Sequence, residues 1–397
     1  MYHGYPSFSS RRRRRGSSPA RVILLLLLIV TIGGYVWIRS GASLPFASNL
    51  PLGNLPGLAT STPAPTPTPS AADYFDRAEQ LYAEGKLNAA ITEYQTAITH
   101  EPTEVRYYVP LIRLLVLRGR LAEALQQADL ISTLIEPESA AAHAIRAMAL
   151  DWSGRPEEAV GAARHAVELD PNYAEGYAYL AEALADLQRL EEAEEKAFKA
   201  IELDPRSAVA QRNLGYVYER EGRYAAAVTQ YQQAIAIQPR LSYLYIDVGR
   251  NQRVLGDWPA ARAAFEQAVA LDPDNSQAQY DLGLTYYADG DAASAIEPLK
   301  KATELNPRST DAFVYLGMAY FRQHNYEDAI IALEHAANDL GASTSEAYYA
   351  LGLSYYFLED CDKAVPWFYK MLEIVPDDKN AVEAIRLCEA PLPTRAP

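Results

Sequence analysis

The sequence predicts an all-α protein: a solenoid of about nine stacked helix pairs, ended by a capping helix and preceded by one N-terminal transmembrane helix. Three observations carry this reading. Prolines stand at 102, 137, 171, 205, 239, 273 and 307, so that after a first gap of 35 every gap is 34. Between the prolines, small and large apolar residues recur at helical spacing on two short segments per unit. An uncharged apolar run, 22–38, precedes a stretch too rich in proline to be helical. A fixed period of about 20 to 50 residues marks a repeat architecture, in which no unit buries its apolar face alone and neighbours share a continuous core.

The N-terminus reads as a membrane address. The first 40 residues hold seven arginines (Arg11 to Arg15, Arg21 and Arg39) and no acid, which leaves 29 basic against 51 acidic residues for the remainder. Residues 1–21 are a basic tail. Residues 22–38, VILLLLLIVTIGGYVWI, are at the short end of a bilayer-crossing helix. Positive charge stays on the cytoplasmic side, so the N-terminus is expected inside and the repeats on the extracytoplasmic side. Tyr35 and Trp37 fall near the outer interface, where amphipathic rings sit. The alternative is a cleaved signal peptide with Ser40-Gly41-Ala42 as its site, but Trp37 and Arg39 stand between that site and the leucine core. Residues 39–72 form a linker without charge after Arg39, with Pro45, Pro51 and Pro56 and then proline at every second position from 63 to 69. Proline fixes φ and removes a donor, so this linker is an extended spacer.

The repeats occupy residues 73–376, with nine units counted from residue 71. Residues 208–239 show the pattern: Leu214, Gly215 and Tyr218 share one face of a first helix, and Glu221-Gly222-Arg223 breaks it. Ala227, Tyr231 and Ala234 mark one face of a second helix, which Pro239 stops. Gly341 takes the expected proline place before Pro376. The unit 103–137 carries one inserted residue near its end, and the 69 residues from Pro307 to Pro376 divide into one unit of 34 and one of 35. Residues 377–390 are the capping helix, whose Asp377-Asp378 start suits the positive end of a helix. Residues 391–397 are a disordered tail.

On these residues the chain resembles the tetratricopeptide repeat family, whose units place Leu at position 7, Gly at 8, Tyr at 11, Ala at 20, an aromatic at 24, Ala at 27 and Pro at 32. Leu282, Gly283, Tyr286, Ala295, Leu299, Ala302 and Pro307 match or nearly match, as do Leu351, Gly352, Tyr355, Ala364, Phe368 and Pro376. The resemblance implies a right-handed superhelix whose first helices line a concave groove. Its groove positions fall on Arg212, Asn213, Tyr216, Arg220, Tyr243, Asp247, Arg250 and Arg253 in the middle. In the C-terminal third they fall on Tyr280, Leu284, Tyr287, Val314, Tyr315, Met318, Phe321, Arg322, Tyr349, Leu353, Tyr356 and Phe357. A basic patch thus leads into an aromatic stripe. The patch resembles a carboxylate clamp, able to fork onto an acidic or C-terminal carboxylate. Its bland reading is pairing within the chain, for example Arg250 with Asp247 or Asp281. The stripe presents rings that suit a binding anchor, or packing inside a tightly wound superhelix.

The expected function is a non-catalytic scaffold that captures proteins or peptides. A glycan-binding envelope protein and a regulatory subunit of a membrane enzyme are the alternatives. An acidic body, net −22 from the counts above, argues against nucleic acid as a partner. No phosphate-binding glycine loop and no His-Glu-x-x-His motif occurs, the six histidines are scattered, and neither cofactor nor metal is expected. Cys361, at the turn of the last unit, and Cys388, near the end of the capping helix, fall at one end of the solenoid. They bridge if their Cα atoms come within about 7 Å.

Overall fold

A computed structural model describes residues 69–392, all within one compact unit. The basic tail, the apolar run 22–38, nearly all of the linker and the last five residues lie outside the described residues, and the anchor expectation falls there. Among the described residues no helix is long and apolar enough to cross a membrane.

Nineteen α-helices and no strand make up the described residues. They pair as α1 (Ala71–Ala83) with α2 (Leu87–His100), α3 (Val105–Leu117) with α4 (Leu121–Leu130), and α5 (Ala140–Trp152) with α6 (Pro156–Leu169). Then come α7 (Ala174–Asp186) with α8 (Leu190–Leu203), α9 (Ala208–Arg220) with α10 (Tyr224–Ile237), and α11 (Ser242–Val254) with α12 (Trp258–Leu271). The last three pairs are α13 (Ser276–Ala288) with α14 (Ala292–Leu305), α15 (Thr310–Arg322) with α16 (Tyr326–Glu334), and α17 (Ser345–Phe357) with α18 (Cys361–Ile374). A single helix, α19 (Lys379–Leu387), closes the stack.

Local chemistry sets these boundaries. Helix α1 begins two residues before Asp73, because Ser70 and Asp73 form a reciprocal capping box. Asn275 accepts from the backbone of Gln277 and Ala278 at the start of α13, and Asp378 accepts from Asn380 and Ala381 at the start of α19. Second helices end two residues before the periodic proline, as in α10, where Ile237 precedes Gln238-Pro239. The capping helix stops at Leu387, three residues short of the sequence expectation, because Glu389 turns into the left-handed region at φ 56°.

The small residue at position 8 has a steric cause. A Cβ on Gly215 would lie 2.8 Å from the Tyr231 ring, and one on Gly317 would lie 2.5 Å from Leu333. In the last five units, position 24 packs onto the bare backbone of a glycine at position 8, and Tyr231, Phe265 and Phe368 are completely buried there. The two long units solve their extra residue in the same way. After α4 and after α16 the helix widens into one π turn, Ile131–Ile135 and His335–Asp339, which takes up the insertion before the next unit begins. Ser132 and Thr133 donate to the carbonyls of Ala128 and Asp129 around the first of these turns.

At the end of the stack, Ala381, Ala384 and Ile385 of α19 pack on Trp367, Phe368 and Met371, while Lys379, Asn380, Glu383 and Arg386 face water. That division of faces is what a terminal cap requires. A disulfide joins Cys361 to Cys388, with Cα atoms 5.5 Å apart, and ties α19 to the first turn of α18.

Candidate binding groove

The predicted groove residues divide into two groups. The N-terminal group is engaged within the chain. Arg212 is 8% exposed and donates to Glu182 at 2.9 Å and to Asp247 at 3.0 Å, so it links helices α7, α9 and α11. Asn213 is buried and donates to the Ala178 carbonyl and to Glu182. Tyr216 donates to Asp186, which also pairs with Arg220 at 3.6 Å. Arg250 donates twice to Asp281, which accepts a further bond from Arg253 and another from Gln277. The patch expected to clamp a partner's carboxylate is therefore saturated by the chain's own acids, on successive first helices. Burying an unpaired charge is costly, and these acids satisfy the arginines where a free clamp would leave them exposed to the core.

The interior of the first six repeats is also closed sterically. Arg113 of α3 donates to both carboxylate oxygens of Glu175 at 2.7 Å and to the Tyr179 hydroxyl, across the concave side. Tyr243 meets Tyr82 of the first unit, and burial pushes both phenols up from their ordinary range. Two seams tie one superhelical turn to the next. Arg118 pairs with Asp272 at 2.7 Å across 154 residues, and the turn at Gly85 sits so close to Arg240 that a Cβ there would lie 2.4 Å from its carbonyl oxygen. A separation of 154 residues is roughly four and a half units of 34. A cavity of about 680 Å³ remains in the seam, lined by Arg118, Arg120, Trp152, Arg250, Asn275 and Asn306. All three of its arginines are already in ion pairs.

One carboxyl stands out inside the closed turn. Asp151 is 6% exposed, and its Oδ1 has no hydrogen-bond partner. Burial, and then the neighbouring Glu182 and Asp186, push it up to about 8. Burial likewise raises Asp247, against the pull of Arg212.

The C-terminal group is different. Tyr280 and Tyr315 approach at 6.2 Å between ring centroids, and Tyr287 meets Tyr315 edge-on at 5.5 Å. Arg322 stacks over Tyr287 at 3.7 Å, so that ring is covered. Phe321 and Phe357 approach at 6.4 Å, with Phe357 stacked on Tyr326. Tyr280, Tyr315, Phe321, Tyr349 and Tyr356 are half-buried, and Phe357 is exposed. Met318 packs against both aromatic clusters and makes the stripe continuous from α13 through α15 to α17. Among the described residues no hydroxyl of Tyr280, Tyr287, Tyr315, Tyr349 or Tyr356 is hydrogen-bonded to another protein group. No cluster of three or more His, Cys, Asp or Glu able to hold a metal ion occurs among the described residues.

Sequence models of the tetratricopeptide repeat match residues 207–274 and, separately, 146–208 and 316–379. A model described as anaphase-promoting complex, cyclosome, subunit 3 matches residues 255–336. No curated protein matches the chain. Among solved structures, the APC/C hetero-tetramer Cut9-Hcn1 is 18% identical, with a TM-score of 0.58, over 81% of this chain and 67% of that one. PilF of Pseudomonas aeruginosa is 21% identical, with a TM-score of 0.48, over 53% of this chain and 96% of its own. YrrB, described as a repeat protein with an unusual peptide-binding site, is 23% identical, with a TM-score of 0.45, over 49% of this chain and 99% of its own. The likeness to the Cut9-Hcn1 structure, at 18% identity, is one of fold.

Proposed function

We propose that this chain, a solenoid of tetratricopeptide type, is a non-catalytic scaffold that captures a partner polypeptide in the aromatic groove of its last three repeats. Repeats of this type generally mediate protein–protein contacts. The observation that carries the assignment to the last three repeats is the contrast within the groove. The arginines of the middle are consumed by Glu182, Asp247 and Asp281, whereas the rings of Tyr280, Tyr315, Tyr349 and Tyr356 keep accessible faces and unused hydroxyls. Half-buried aromatic side chains bury much area at little entropic cost, which is why they serve as anchors. A partner recognised by its carboxylate would have to displace Asp281 from two arginines, so the acidic-peptide expectation loses its donors.

The same proposal places the repeats on the extracytoplasmic side of a membrane, held by Val22–Ile38 and the linker. The uncharged run and the arginines before it support this, and a disulfide fits an oxidising compartment. The test is capture from a membrane extract by the full-length chain, against a variant with Tyr315, Phe321 and Tyr356 changed to Ala. Retention by the first and loss by the second supports the groove. Equal capture by both sinks it. Protease attack on the repeats in intact cells, compared with permeabilised ones, tests the side of the membrane.

A further inference from the structure

We infer that the segment held in this groove is an extended, uncharged, proline-rich strand of another polypeptide; the inference rests on the groove reading above and names its ligand class. Three properties of the groove point there. The first is charge. The groove positions of the last three first helices hold one buried carboxylate, Asp281, already taken by Arg250 and Arg253. The other charges, Asp311, Glu346 and Arg322, sit at the ends of their helices, so the floor between them is neutral.

The second property is hydrogen bonding. A polyproline strand has no internal hydrogen bonds and few backbone N–H groups, so it arrives rich in carbonyl acceptors and poor in donors. The groove offers the complement: hydroxyls of Tyr280, Tyr315, Tyr349 and Tyr356 that donate to no other protein group among the described residues.

The third is continuity. Rings on successive first helices approach at 6.2 Å, Tyr280 with Tyr315, and at 6.4 Å, Phe321 with Phe357, and Met318 joins the two groups. The floor is therefore one aromatic surface along which an extended strand can lie, and pyrrolidine rings stack on aromatic faces in the way grooves for proline-rich segments work. The chain's own residues 61–69, STPAPTPTP, show the ligand chemistry and provide a probe.

The experiment uses the full-length chain in detergent, with Pro63, Pro65, Pro67 and Pro69 changed to Ala so that it offers no such strand itself. A fluorescent peptide of sequence STPAPTPTP is titrated by anisotropy, beside a peptide with every proline replaced by alanine. Saturable binding is expected, weakened at least tenfold in the alanine peptide. A protein variant carrying Tyr280→Phe, Tyr315→Phe, Tyr349→Phe and Tyr356→Phe keeps its rings and unfolds at an unchanged temperature. It is expected to bind at least tenfold more weakly. Equal binding of both peptides, or full binding by the Phe variant, overturns the inference. So does absence of peptide binding while the Ala variant of the groove still loses its captured partner, a result that leaves the groove itself standing.

Discussion

The first six repeats and the last three are built from the same unit and end in different states. In the first six, charged side chains on the concave side meet opposite charges one unit away or one superhelical turn away, and the interior closes on itself. In the last three, tyrosine and phenylalanine occupy most of the equivalent positions, and the arginine that reaches between them, Arg322 over Tyr287, pairs with no acid among the described residues. The difference teaches that the fold sets where groove residues point, while their charge decides whether the chain consumes its own groove.

The largest test of this contrast compares two arginines. Arg212→Ala strands Glu182 and Asp247 in the core and should destabilise by about 3–5 kcal/mol in denaturant unfolding. Arg322→Ala, at an exposed site over Tyr287, should change stability by less than about 1 kcal/mol. Similar losses would erase the distinction.

Next in size is the seam. Gly85 has φ +78° and faces the Arg240 carbonyl, whereas Gly222 has φ +76° and nothing nearby. Both alanine variants carry the left-handed backbone cost of about 1–2 kcal/mol. Gly85→Ala should add about 1–3 kcal/mol of clash on top. Equal midpoints would mean that the turns do not press on each other.

The third effect is a pH dependence in the closed half. An unfolded Asp151 ionises above about 4, while the folded one keeps its proton to about 8, so this residue withdraws stability as pH rises between those values. Asp151→Asn removes that loss. Its stability in denaturant unfolding should exceed that of the parent by a margin that widens from pH 5 to pH 8, at no more than about 1.4 kcal/mol per pH unit. A constant margin would show that Asp151 is ionised in the fold.

The solenoid was legible because its cause is local and repeated: Gly215 under Tyr231, Gly317 under Leu333, a proline after each second helix. The insertion in the unit 103–137 was legible too, as the π turn Ile131–Ile135, whereas the second falls at His335–Asp339, ahead of Gly341, where a count of 34 residues from Pro307 leaves no room for it. The closure of the first six repeats was not. Arg118 and Asp272 lie 154 residues apart, and no local pattern links them. Part of it had a signal. Arg212 and Asp247, or Arg250 and Asp281, occupy groove positions of consecutive units about one period apart, which makes pairing readable from sequence. Asp151, Trp152 and Tyr82 occupy the unit positions that Tyr287 and Arg322 hold later in the chain, so their direction was legible, but their burial was not, because it comes from contacts with distant units.

The seams also bear on how this chain responds to load. Gly85 with Arg240 and Arg118 with Asp272 join stretches that are close in space and far along the chain, and neither contact belongs to a helix ladder. Tension applied between the first and the last described repeat therefore loads these two contacts before it loads any helix ladder.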